Sequence, residues 1–84
     1  MTIDELRSEL QRRRVPEFAY SIGRDENETY CLVQGPDSWH VYYSERGNRI
    51  AERVFASEAT ACECLVQMVL NDGVVRGWMD EHNR

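Results

Sequence analysis

Trp39-His40-Val41-Tyr42-Tyr43-Ser44-Glu45-Arg46-Gly47-Asn48 is the stretch on which the fold turns. Trp39, Val41 and Tyr43 alternate with His40, Tyr42 and Ser44, a period of two that belongs to a strand whose faces meet different surroundings. Glu45-Arg46-Gly47-Asn48 then supplies turn chemistry, so residues 49–55 are expected to return as an antiparallel partner. On the N-terminal side, Thr29–Gln34 is rich in strand formers and is closed by Gly35-Pro36-Asp37. Earlier still, Phe18, Tyr20 and Ile22 alternate with Ala19 and Ser21 before Gly23. The polar run Gly23-Arg24-Asp25-Glu26-Asn27-Glu28 reads as a hairpin loop, which makes the middle of the chain a four-stranded antiparallel meander.

Helices flank this meander. Thr2 followed by Glu5 matches a capping box, and Ile3, Leu6 and Leu10 recur on one face, so residues 2–14 read as a helix. Pro16 stops it, and Arg12, Arg13 and Arg14 lie in its last turn, favourably placed for the helix dipole. Ser57 is a good N-cap for a second helix over residues 57–72, with Cys62, Leu65, Val66 and Val69 as its apolar stripe. Asn71-Asp72-Gly73 reads as its stop, and residues 74–79 as a short helix or a packed tail. The expected fold class is therefore α+β: a two-layer domain with an N-terminal helix, an antiparallel four-stranded sheet and a C-terminal helix. Both helices should cover the Trp39, Val41 and Tyr43 face, leaving the His40, Tyr42 and Ser44 face open.

Eighty-four residues suit a single folding unit spanning residues 1–84. A formal net charge of -5 is the wrong sign for a protein that holds nucleic acid by neutralising phosphates. No apolar run approaches the length of a membrane span, and the N-terminus lacks the pattern of a signal peptide, so no membrane partner and a cytoplasmic location are expected. Cys31, Cys62 and Cys64 are odd in number and, with His40 and His82, lack metal-ligand spacing; free thiols, no metal and no cofactor are expected, in a chain that is a monomer or weak dimer alone. The five glycines are scattered as turn punctuation, so no phosphate cradle is visible. No nucleophile and base motif is visible either. His40 reads as a half-buried strand residue and the paired carboxylates as solvated surface, which argues against an enzyme.

The aromatic strand that runs into the charged Glu45-Arg46-Gly47 turn has two readings. Tyr, Trp and Arg are the residue types enriched at binding hot spots, yet a core strand with a polar tip has the same composition. Val15-Pro16, Tyr20-Ser21-Ile22-Gly23, Glu28-Thr29-Tyr30-Cys31-Leu32, the Trp39 to Gly47 stretch and Phe55-Ala56-Ser57-Glu58-Ala59-Thr60-Ala61-Cys62 together resemble small bacterial immunity proteins encoded beside polymorphic toxins. The resemblance implies an inhibitor that binds a cognate toxin domain and occludes its active site; it does not carry over the toxin's chemistry, since NAD-degrading toxins and nucleases both use such partners, and the reading leans slightly to the former. On that reading Tyr42, Glu45 and Arg46 are the expected anchors, helped by His40 and by Asp25, Glu26 and Glu28 at the same end of the sheet. The alternative is a small regulatory or scaffold domain that pairs through its open sheet face or sheet edge.

Overall fold

The computed structural model describes residues 1–82. Its elements in chain order are α1 (Ile3–Arg12), a single 3-10 turn (Glu17–Ala19), β1 (Tyr20–Ile22), β2 (Thr29–Gln34), β3 (Trp39–Glu45), β4 (Asn48–Phe55), α2 (Glu58–Asn71) and α3 (Gly73–His82). The α+β class is as expected. α1 starts where its capping box lies: the Thr2 side chain accepts from the Glu5 amide at 3.2 Å, and the Glu5 carboxylate accepts from the Thr2 amide at 3.0 Å. Ser57 caps α2 by accepting from the Thr60 amide at 3.1 Å. Leu6 and Leu10 of α1, Leu32 and Val41 of the sheet, and Leu65 and Val69 of α2 are all fully buried against one another. Excluding these side chains from water is the main force joining the two layers.

Two parts of the expected architecture are corrected. The sheet order is β1-β2-β3-β4, but β1 runs parallel to β2, with Tyr20 opposite Tyr30 and Ile22 opposite Leu32. The sheet is therefore mixed, and Gly23–Glu28 is a return loop that carries the chain back to the start of β2. Gly23, at φ +100°, begins the reversal, and its amide extends the parallel ladder by donating to the Leu32 carbonyl at 2.8 Å. The expected first strand is also shorter, because Phe18 lies in the 3-10 turn and is exposed.

The second correction is at the C-terminal end, where the fold class counted one helix: of the two readings of residues 74–79 the helix is the one formed, and as α3 it runs from Gly73 to His82. Asp72 begins α3: its Oδ1 accepts from the amides of Val74 at 2.9 Å and Val75 at 3.1 Å. Its Oδ2 accepts from the Tyr30 hydroxyl at 2.6 Å, which ties the α2–α3 junction to the sheet. Trp78 of α3 stacks on His82 and meets the Phe18 ring edge-on.

β4 contains a bulge that decides which side chains share a face. Tyr43 lies opposite Ile50 and Val41 opposite Arg53, so Ala51 and Glu52 together face Tyr42. Ala51 takes the left-handed conformation at φ +55°. One extra residue reverses the alternation beyond it. Glu52 thereby joins Arg49 on the outer face, while Arg53 and Phe55 turn to the helix side.

Candidate binding surface

The outer face of the sheet is only partly open, which corrects the expectation for Tyr42 and Ser44. Both are on the expected side, but Tyr42 is 0% exposed and Ser44 1%. The return loop covers them. Asp25 Oδ2 accepts from the Tyr42 hydroxyl at 2.7 Å and Oδ1 from the Ser44 hydroxyl at 2.9 Å. Asn27 Oδ1 accepts from the Arg46 amide at 2.8 Å, and the Glu28 amide donates to the Ser44 carbonyl at 2.7 Å. Thr29 Oγ1 adds a bond to the Glu26 carbonyl at 2.8 Å. Asp25 and Asn27 therefore staple the loop to β3 and to the β3–β4 turn.

This stapling brings Asp25, Glu26, Glu28, Glu45 and Arg46 to one end of the sheet. Their proximity follows from the return loop, since no hairpin joins β1 to β2. Glu28 and Arg46 both take left-handed backbone conformations, at φ +59° and +50°. Arg46 and Gly47 form the centre of a two-residue type I′ turn, where Asn is ordinarily preferred at the Arg46 position. Among the described residues the Arg46 guanidinium has no salt bridge, and its side chain is exposed.

His40 lies farther along β3 and reaches this end through a row of contacts. Its Nδ1 is 3.0 Å from Glu52 Oε2, which also accepts from Arg49 at 2.7 Å; the Arg49 guanidinium sits 4.4 Å from the centre of the Tyr42 ring. The opposite ring nitrogen of His40 meets Ser38 Oγ at 3.0 Å. Ser38, His40 and Glu52 thus form a serine, histidine and carboxylate row. The row lies on a strand face, and Arg49 competes for the carboxylate that would orient the imidazole. These bonds tie His40 to β4 and to the residue preceding β3.

The electrostatics follow from these bonds. The Tyr42 hydroxyl, and then that of Ser44, hold the Asp25 carboxyl below the ordinary carboxylate range. Arg49 does the same for Glu52 against some opposing burial, with His40 adding to it. Tyr30, and then the two α3 amides, lower Asp72. Burial, reinforced by the hydrogen bond to Asp25, raises the Tyr42 hydroxyl far above the usual tyrosine range, so it remains a donor.

A folded-state pKa below the unfolded value gives stability that is present above the unfolded pKa and lost as pH falls through the folded one. Thermal melts followed by circular dichroism should therefore show a steady melting temperature from neutral pH to about pH 5, then a decline below about pH 4. A melting temperature that stays flat down to about pH 2 would contradict this account of the three carboxylates.

Sequence reasoning missed Asn27, Arg49 and Glu52. Asn27 carried a usable signal, because Asn and Asp in a polar run commonly bond nearby backbone. Arg49 and Glu52 had none, since their shared face depends on the bulge. Cys31 and Cys62 are buried and Cys64 half-buried, all as free thiols. Among the described residues no group of three or more His, Cys, Asp or Glu gathers in a way that could hold a metal ion, and no helix is long and apolar enough to cross a membrane. No protein-family model, curated protein or solved structure matches the chain.

Proposed function

We propose that this chain is an immunity-type inhibitor that binds a cognate bacterial toxin domain in the cytoplasm and occludes its active site. The observation that carries the reading is the stapled end of the sheet, where Asp25 and Asn27 fix the return loop so that its Glu26 and Glu28 stand at the same end as Glu45 and Arg46 of β3 and the β3–β4 turn. A surface ordered before it meets its partner loses less conformational entropy on binding. Toxins that act on nucleic acid or phosphate-bearing cofactors have basic clefts, and the net charge of -5 would steer association with them. An NAD-degrading toxin is the preferred partner, and the chain itself has a binding role with no turnover of its own. Tyr42 supports this surface from beneath, and His40 extends it through Glu52 and Arg49.

The test is co-expression with the toxin domain encoded next to this chain. Growth should be restored by the wild-type chain and not by a folded Arg46→Ala, Glu45→Ala double variant. Lack of protection by the wild-type chain would remove the reading. Protection retained by the double variant would move the interface to another surface.

A further inference from the structure

The helix layer leaves one part of the sheet uncovered. α2 packs mainly over β2 and β3 and only reaches β4, where Phe55 packs against the core; Ile50 and Arg53, also on the helix side of β4, are left exposed. The result is a groove between α2 and β4. It consists of two depressions of about 370 and 380 Å³ that share Met68 and Asn71 as lining residues. Phe55, Cys64 and Met68 form the apolar floor of one part, and Tyr43 and Ile50 continue it in the other. Ile50 is 43% exposed, a large apolar side chain without a cover.

The walls have a definite length and charge. Thr60 to Asn71 along the helix and Ile50 to Phe55 along the strand each span roughly 16 Å, about three turns of a helix. On the α2 wall stands Glu63, with Gln67 beside it, and no basic residue occurs anywhere in residues 57–72. On the β4 wall stands Arg53. Neither Glu63 nor Arg53 has a salt bridge among the described residues.

We propose that this groove is a second docking site, for an amphipathic helix of another polypeptide. The matching helix has apolar anchors at i, i+3 or i+4, and i+7 facing Phe55, Met68 and Ile50, with Lys or Arg on the flank toward Glu63 and an acid toward Arg53. Met68 suits the floor because a flexible thioether adapts to different anchors. An added strand fits poorly: the β4 edge is interrupted by the bulge at Ala51 and bears Arg49, Glu52 and Arg53, features that discourage strand pairing. A second copy also fits poorly: α1 buries Leu6 and Leu10 in its own core, as α2 does Leu65 and Val69, and α3, though Val74 is exposed, has Gly77 and Glu81 at the following anchor positions and its Trp78 engaged by Phe18 and His82. The site goes beyond the proposed inhibitor surface and is independent of it, since it lies on the helix side of the sheet.

The experiment is selection from a phage-displayed library of helical peptides of about four turns on the purified domain, with an extended-peptide library in parallel. Enriched helical sequences should share the i, i+3 or i+4, i+7 anchor spacing and a basic flank, and should bind Met68→Asp at least about tenfold more weakly. Selection on Glu63→Arg should replace the basic flank with an acidic one, a change that loss of folding cannot produce. Circular dichroism melts of both variants verify that they are folded. The proposal is overturned if no helical sequence is enriched, if the binders are extended, or if both variants bind the enriched helices like wild type. Dimerisation of the free domain that Met68→Asp abolishes would overturn it in favour of a second copy.

Discussion

Tyr42→Ala is expected to destabilise the domain by about 3 to 5 kcal/mol, the usual cost of deleting a buried aromatic side chain. A chain of this size has a total stability of roughly 4 to 13 kcal/mol, so the variant should lose about a quarter of it or more. The ring is fully buried beneath the return loop, with Arg49 over it. Tyr42→Phe separates this packing from the clamp. It keeps the ring and removes the donor to Asp25, so it should be destabilised, though far less than Tyr42→Ala, while binding a partner more weakly through a loosened loop. Urea unfolding curves for both variants are the measurement. A Tyr42→Ala midpoint within error of wild type would mean that the ring supports nothing.

Arg46 gives the second large effect, in opposite directions for stability and binding. Its left-handed backbone costs an ordinary side chain about 1 kcal/mol, a cost that Asn largely avoids. Arg46→Asn should therefore raise the unfolding free energy by about 0.5 to 1 kcal/mol. If the stapled end meets a partner, the same substitution should weaken binding by about 2 kcal/mol, roughly thirtyfold, because an exposed guanidinium at the centre of an interface is a typical anchor. Denaturant melts combined with titration against the cognate toxin domain read both quantities. A stabilised Arg46→Asn variant with undiminished affinity would remove Arg46 from the interface. A residue that lowers stability where a commoner one would raise it is the pattern of a site kept for function.

The elements that sequence made legible were those whose signal is local. The alternation from Trp39 to Ser44 identified β3 and correctly separated its two faces, and the capping residues Thr2 and Ser57 marked the starts of α1 and α2. The direction of β1 was not legible, because a polar run with a glycine has the same composition whether it closes a hairpin or returns to form a parallel pair. The bulge was hidden for a related reason: Ala51 adopts a conformation usually signalled by glycine or asparagine. Residues 49–55 therefore read as a regular strand, whereas Val54 faces outward and is 57% exposed. Asp72-Gly73 looked like a helix stop, and two glycines in residues 73–77 left the following segment undecided between a short helix and a tail, so the full length of the helix that Asp72 begins was not legible. For the candidate site, the charged residues at the stapled end were visible as a group. The burial of Tyr42 was not, because it depends on where the loop lies.

The stapled loop also has a bearing on how such a surface can diverge. The side chains that grip, Asp25 and Asn27, alternate along the chain with Arg24, Glu26 and Glu28, whose side chains make no bond to the sheet beneath. Single substitutions at the latter three positions alter the sign and spacing of the displayed charge while leaving the grips and the core intact. Descendants of one ancestor can thus drift toward different partners in small steps, each through a folded intermediate, and lineages can part company without the architecture being rebuilt.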